Sequence, residues 1–149
     1  MLLQLNNFLH YNIIMKLLFP NKIPVFPLSG VIYFPKTNLP LNIFEKRYLD
    51  LVNDCRGNNK LMGMVQAKKN TNEVYSVGCL GKVIDFQKSK DGRILLNLSG
   101  LTRFEIKGEI KNNRLYREFE VGYEKFLLDT EDEEKISVEQ KRIDHLFEK

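Results

Sequence analysis

The stretch VYSVGCLGKVIDFQKSKDGRILLNLSGLTRFEIKGEI, residues 74–110, commits the chain to β structure. Residues 74–88 read as one long strand. Gly78 and Gly81 inside it predict bulges or a tight bend of the kind found at a barrel corner. Asp91-Gly92 is a strong hairpin signal and predicts a type I′ turn, with positive φ at both central residues. Residues 93–100 return the strand. After Ser99-Gly100 a further strand alternates, with Phe104, Ile106 and Ile110 inward and Arg103, Glu105, Lys107 and Glu109 outward.

Strands extend to both sides of this hairpin. LMGMVQA (61–67) reads as a short buried strand, followed by a polar loop, KKNTNE. KIPVFPLSG (22–30) is extended, and its two prolines exclude a central ladder strand and suggest an edge or a sheet entry. Residues 31–44 continue extended, with turn signals at 35–38. Downstream, Asn112-Asn113 marks a turn, and REFEVGY places Phe119, Val121 and Tyr123 on one face. One helix is inserted early, with Phe44, Tyr48, Leu51, Val52 and Cys55 on its buried face. Asn42 is the predicted N-cap, with Glu45 at capping-box spacing. Gly57 is the predicted left-handed stop. Spacing also predicts that Arg47 reaches Asp50 and does not pair with Glu45, because residues two apart on a helix do not face each other.

The fold class is therefore mainly β with α (α+β): a bent antiparallel β-barrel-like domain with one inserted helix. Residues 22–128 form this domain. Residues 129–135 read as an acidic, solvated link. After it, Ile136, Ile143, Leu146 and Phe147 begin a helical stripe that stops in mid-pattern, which predicts a truncated C-terminal helix. Residues 1–21 are an N-terminal extension. Their apolar run is interrupted by Asn, Gln and His, and no Lys or Arg precedes Lys16, so they fit neither a secretory signal nor a membrane span. MKLLFPNK at Met15 resembles a natural start, and residues 1–14 read as an upstream start or a loose segment.

The 149 residues, 43% hydrophobic and 28% charged, suit one globular domain with an appendage. A formal charge of +4 allows an anionic partner without identifying one. Cys55 and Cys79 match no metal spacing and read as reduced core residues, as in a cytoplasmic protein.

Searching for chemistry returns little. No phosphate loop, GxSxG, HExxH or calcium loop is present. His10 and His145 are too remote to form a metal site, and no catalytic residue, metal or cofactor is predicted. Glu45, Arg47 and Tyr48 sit side by side as active-site residues often do, but each also has a structural role. Arg47 is either a local anchor or a receptor for a ligand carboxylate. Lys68, Lys69, Lys82, Lys88, Lys90 and Arg93 are scattered, without the aromatic interleaving of a nucleic-acid platform.

The segments IPVFPLSGVIYFPKTNLPLNIFEKRYLDLV, MGMV and VGCLGKVIDFQKSKDGRILLNLSGLTRFEI, taken in order, resemble the N-terminal, substrate-recognition domain of the ATP-dependent protease Lon. They look most like the small stand-alone proteins built from that domain. The motifs that carry the resemblance are the Phe-Pro-Leu start, the corner Phe44, Glu45, Arg47 and Tyr48, the strand glycines Gly78 and Gly81, the hairpin Asp91-Gly92, and Gly100, Arg103 and Phe104. Proline often stands where this chain has Lys46, which would make Glu45 the cap and leaves the helix start open by one turn.

The resemblance implies a PUA-like domain that holds unfolded or exposed polypeptide segments, alongside a protease or chaperone, and does no chemistry itself. The sequence has no Walker motif and no room for a Ser-Lys protease domain, so ATPase and protease activity do not carry over. Tyr33, Phe34, Pro35 and Leu39 are the expected peptide-contact patch, with strand addition at an exposed edge as a second route. The alternative is an RNA- or nucleic-acid-binding domain, by analogy of fold.

Overall fold

The computed structural model of the chain describes residues 2–130. The acidic run beyond Thr130, the helical stripe from Ile136 to Phe147 and His145 lie outside the described residues. In order, the elements are α1 (Leu2–Leu18), β1 (Lys22–Leu28), β2 (Asn38–Ile43), α2 (Lys46–Arg56), β3 (Leu61–Ala67), β4 (Val74–Lys88), β5 (Ile94–Ile110), β6 (Arg117–Gly122) and a 3-10 segment (Glu124–Thr130). The mainly β class with one inserted helix is as expected.

The strands run in the order β2-β5-β4-β3-β1-β6, and β5 also pairs with β6, so five strands close a ring. β5 makes closure possible because it is long enough to serve two partners. Its first half pairs with β2, and its second half pairs with β6. Register shifts at Leu80/Gly81 and Val83/Asp85 in β4, and at Ile106/Gly108 in β5, supply the bends. The result is a ring without the regularity of a barrel.

Several expectations need correction. Gly100 does not divide β5 into two strands: it pairs with Gly81 and the strand runs through it. β1 is not a simple edge, because it has two partner strands, but neither proline lies in a two-sided ladder, as expected. Its first half pairs with β6 and its second half, in parallel, with β3. The two ladders overlap only at Val25, so Pro24 and Pro27 each stand where one side of the strand is paired, and neither interrupts a two-sided ladder. A parallel pair needs a long crossover, and β2 with α2 provides it. The hairpin at Asp91-Gly92 forms, but only Gly92 has positive φ (91°). Ser89 closes it by accepting from Gly92 N and donating to Arg93 O, the pattern of a three-residue loop ending in a left-handed glycine.

The start of α2 also differs. Asn42 is held extended opposite Leu95 in the β2–β5 ladder and is not free to cap. Glu45 is the N-cap residue, extended at φ −74°, ψ 136°, without a side-chain cap bond. Phe44 therefore precedes the helix and is exposed, while Tyr48, Leu51, Val52 and Cys55 are buried. Because Glu45 lies outside the helix, the helical spacing rule does not govern it: its carboxylate accepts from Arg47 Nε at 3.1 Å. Asp50 pairs with Lys46 instead, at 3.4 Å and on the surface. Gly57 is right-handed (φ −73°), and the left-handed turn falls three residues later at Lys60 (φ 65°).

Two apolar clusters result. One lies between α2 and residues of β1 to β5, and includes Leu51, Val52, Met62, Ile94 and Leu98. The other fills the ring around Phe104, with Ile23, Val25, Leu80, Phe119 and Val121. Cys55 and Cys79 are both free and buried, and burial pushes each thiol up to about 12. At the N-terminal side, Phe19 lies 5.5 Å from the Tyr123 ring, and the Tyr123 hydroxyl donates to Pro20 O at 2.6 Å. α1 exposes Leu2, Leu5, Phe8, Leu9 and Leu18. Among the described residues no helix is long and apolar enough to cross a membrane.

Candidate peptide-contact surface

Residues 30–37 cross from β1 to β2 with little regular structure, yet they are fixed at several points. Gly30 (φ 72°) and Lys36 (φ 61°) make the two turns that left-handed backbone allows. Lys36 N donates to Gly100 O at 2.9 Å, Gly100 N to Thr37 O at 2.8 Å, and Thr37 Oγ1 to Phe34 O at 2.6 Å. Tyr33 turns inward: its hydroxyl donates to Leu98 O at 2.7 Å, and burial pushes its phenol pKa strongly up. Its neighbours on either side are forced outward.

The outcome is an apolar ledge. Ile32 is 69% exposed and Phe34 56%, with Val31 and Val77 also open to solvent. Below it runs a narrow crevice of about 170 Å³, lined by Leu28, Met64 and Val65 as well as the ledge itself. Of the four residues expected to make peptide contacts, only Phe34 is prominently exposed. Tyr33 anchors the segment, Leu39 packs against the core of α2, and Pro35 is half-buried. Ile32 was missed. The alternation in VIYF carries the signal, because one inward Tyr33 implies two outward neighbours.

Arg103 stands at the edge of the crevice. Its guanidinium meets Asp129 through Nε at 2.9 Å and Nη2 at 3.0 Å, and its backbone N donates to the same carboxylate at 3.0 Å. Asp129 is therefore not part of a solvated link: its side chain is only 12% exposed. Burial raises its pKa, but the hydrogen bonds and charge of Arg103 outweigh burial, and the carboxyl is held below its usual value. A depressed folded-state pKa gives stability that is present above the unfolded value near 4 and lost as pH falls through the folded one. Asp129→Asn should therefore lower the midpoint of urea unfolding at pH 7 and make it less dependent on pH below about 4. An unchanged acid-limb slope would show that the pair contributes nothing.

Among the described residues β2 ends the strand order with one side unpaired along its length, and Pro40 in its middle removes a backbone donor, which weighs against strand addition there. The scattered basic residues do not converge. Lys68 and Lys69 lie at one end of β4, and Lys88, Lys90 and Arg93 at the other. Lys68 pairs with Glu73 and Arg93 with Asp91. Nor do Glu45, Arg47 and Tyr48 form a catalytic set, because Glu45 and Arg47 are paired with each other on the surface. Among the described residues no group of three His, Cys, Asp or Glu could hold a metal ion.

Residues 22–148 match the model of the ATP-dependent protease La (LON) substrate-binding domain. The chain belongs to this family. Lon protease of Desulfosudis oleivorans is 27% identical over 101 residues, which are 63% of this chain and 12% of that protein. Lon protease of Buchnera aphidicola is 27% identical over 119 residues, 75% of this chain and 15% of that protein. The chain thus spans a small part of the length of these relatives. Among solved structures, the Lon N-terminal domain protein from Xanthomonas campestris superposes with a TM-score of 0.59 at 29% identity, over 68% of this chain and 59% of that one. The N-terminal domain of Mycobacterium avium complex Lon protease gives 0.58 at 14% identity, over 68% and 54%, a likeness of fold. In this chain Tyr48 is buried at the start of α2, and Gly78, Gly81 and Gly100 stand where a Cβ would collide with neighbouring atoms.

Proposed function

We propose that this Lon substrate-binding-domain chain is a non-enzymatic polypeptide-binding module, and that the Val31–Phe34 ledge is where exposed apolar segments of clients dock. The observation that carries this reading is the ledge itself. Ile32 and Phe34 face solvent above an apolar crevice, on a segment whose backbone is fixed by Gly100 and Tyr33. A fixed segment loses little entropy on binding, and open apolar side chains match what unfolded polypeptides offer.

The test is fluorescence anisotropy with a labelled decapeptide rich in Leu and Phe, free of Asp and Glu, and amidated at its C-terminus. The Ile32→Asp/Phe34→Asp double variant should keep its thermal midpoint, because both side chains are exposed. It should bind at least about tenfold more weakly, since burying one such side chain is worth roughly 1.5–3 kcal/mol. Raising salt from about 50 to about 300 mM should change the affinity little, whereas phosphate-backbone binding would fall by orders of magnitude. Peptide affinity equal to the parent's in the double variant would remove the ledge from the account. Salt-steep binding of single-stranded RNA, without peptide binding, would replace the reading with the nucleic-acid one.

A further inference from the structure

The corner at the start of α2 holds a polar group that the fold leaves unused. Tyr48 is only 8% exposed, and its ring lies 3.9 Å from that of Phe26. Its hydroxyl has no hydrogen-bond partner among the described residues. No fully buried side-chain oxygen among those residues lacks a partner, so the Tyr48 oxygen must reach the surface. Tyr48 lines a cleft of about 640 Å³ between α2, the β3–β4 loop and β6.

Two guanidiniums line the same cleft, each already held in place. Arg47 is fixed by Glu45, with its Cζ 4.7 Å from the Tyr48 ring centre. Arg117 donates through Nε to Glu109 at 3.1 Å and through Nη1 to Asn72 O at 2.8 Å, and its Nη2 also meets Glu109. A guanidinium has five N–H groups in a fixed fork, so both arginines keep donors to spare. Two carboxylates also line the cleft, Glu73 paired with Lys68 at 3.7 Å and Glu109 paired with Arg117. Burial raises the Tyr48 phenol pKa; Arg47 and Arg117 pull it down and Glu45 pushes it up. The phenol is thus a protonated donor acted on by two positive charges and one negative one. The cleft thus offers a phenol donor and spare guanidinium donors, while each of its two carboxylates already has a cationic partner.

We propose that this cleft is a carboxylate-binding site, in which the Tyr48 hydroxyl and spare N–H groups of Arg47 and Arg117 receive the carboxylate of a peptide, from its C-terminus or from an acidic side chain. Leu115, 59% exposed at the cleft, offers apolar contact to the adjoining part of the ligand. The site lies on the other side of the β1 and β3 ends from the ledge: Pro27 and Ala67 line this cleft, and Leu28 and Gln66 line the crevice. It therefore does not rest on the ledge reading. The decapeptide used to test that reading has no carboxylate, so the two readings fail separately.

The experiment is an amide-shift NMR titration of the full chain with N-acetyl-alanyl-alanine, with its C-terminal amide, and with N-acetylglutamic acid α-amide. The acid should shift the Arg47, Tyr48, Asn72 and Arg117 signals saturably. The alanyl-alanine amide should bind about tenfold more weakly, because charge-assisted bonds are the stronger ones. The glutamyl probe reports whether a side-chain carboxylate is accepted as well as a terminal one. Tyr48→Phe keeps the ring against Phe26 and should weaken the acid about fivefold or more with an unchanged fold. Arg47→Gln, on the surface, should weaken it without a change in stability. Equal shifts from acid and amide, no saturable shift, or parent-like binding by Tyr48→Phe would overturn the proposal.

Discussion

Phe104→Ala should lower the unfolding free energy by about 3–5 kcal/mol, the range for deleting a buried phenylalanine ring. That is a large part of the roughly 5–15 kcal/mol that holds a domain together. Phe104 is 0% exposed in the second half of β5, within the cluster that fills the ring of strands. Two glycines make room for it. A Cβ on Gly63 would lie 3.1 Å from its ring edge and 2.8 Å from Ile23 Cδ1, and one on Gly78 would lie 2.5 Å from Phe104 Cζ. The converse change, Gly78→Ala, should therefore destabilise by overpacking, by about 3 kcal/mol. The two costs are coupled. In a Gly78→Ala/Phe104→Leu double variant the smaller side chain should relieve part of the clash, and the double cost should fall short of the sum of the singles. Relief stays partial because the added Cβ also meets the Met64 carbonyl at 2.5 Å, and backbone cannot change rotamer. Urea unfolding of the four proteins at pH 7 measures this. Strict additivity would mean that Phe104 and the glycine do not share the space.

Gly100→Ala should have the second large effect, and it should reach the ledge. An added Cβ would overlap the Phe34 carbonyl and lie 3.1 Å from Pro35 Cα, so backbone meets backbone. The 34–37 segment has to move off β5, breaking the bonds from Lys36 N and to Thr37 O. The expected loss is about 2–4 kcal/mol, from overpacking together with two backbone hydrogen bonds. The Lys36 amide should exchange with solvent much faster, and affinity for the apolar decapeptide should drop in protein that remains folded. Gly108→Ala in the same strand is the control: a Cβ there meets nothing within 4 Å, so its stability should change little. If Gly100→Ala is as mild as Gly108→Ala, the segment is not held by close approach, and the fixed-ledge argument fails with it.

Much of this was open to reading from local chemistry. β3 from Leu61 to Ala67 and β4 from Val74 to Lys88 were predicted at the bounds they have. So was the inward row Phe119, Val121 and Tyr123. Their periodicity is set by burial on one face, and a one-residue slip would expose the whole row. The errors share a cause: they arose where a long-range partner overrules a local preference. Asn42 has the chemistry of a cap, but the β2–β5 ladder takes it. Phe44 has helical spacing, but the helix begins after it. Glu45 and Arg47 pair because one of them lies outside the helix. Asp129 looked like one charge in an acidic run until Arg103, 26 residues away in sequence, claimed it.

By itself, the sequence determined the strand content, the inserted helix, the family and the want of catalytic motifs. These depend on residue type and short spacing, which any reader of the chain can see. Only the tertiary structure decided which apolar side chains remain outside. Tyr33 and Ile32 are adjacent and both apolar in body; one is buried by a hydrogen bond to Leu98 and the other is thereby left in solvent. The same holds for the Tyr48 hydroxyl. Whether it finds a partner depends on Phe26, Arg47, Asn72 and Arg117, which converge only when β1, α2, the β3–β4 loop and β6 are brought together. Exposure and satisfaction are properties of the closed ring of strands, and ring closure rests on pairings such as β5 with β6 that no local stretch encodes.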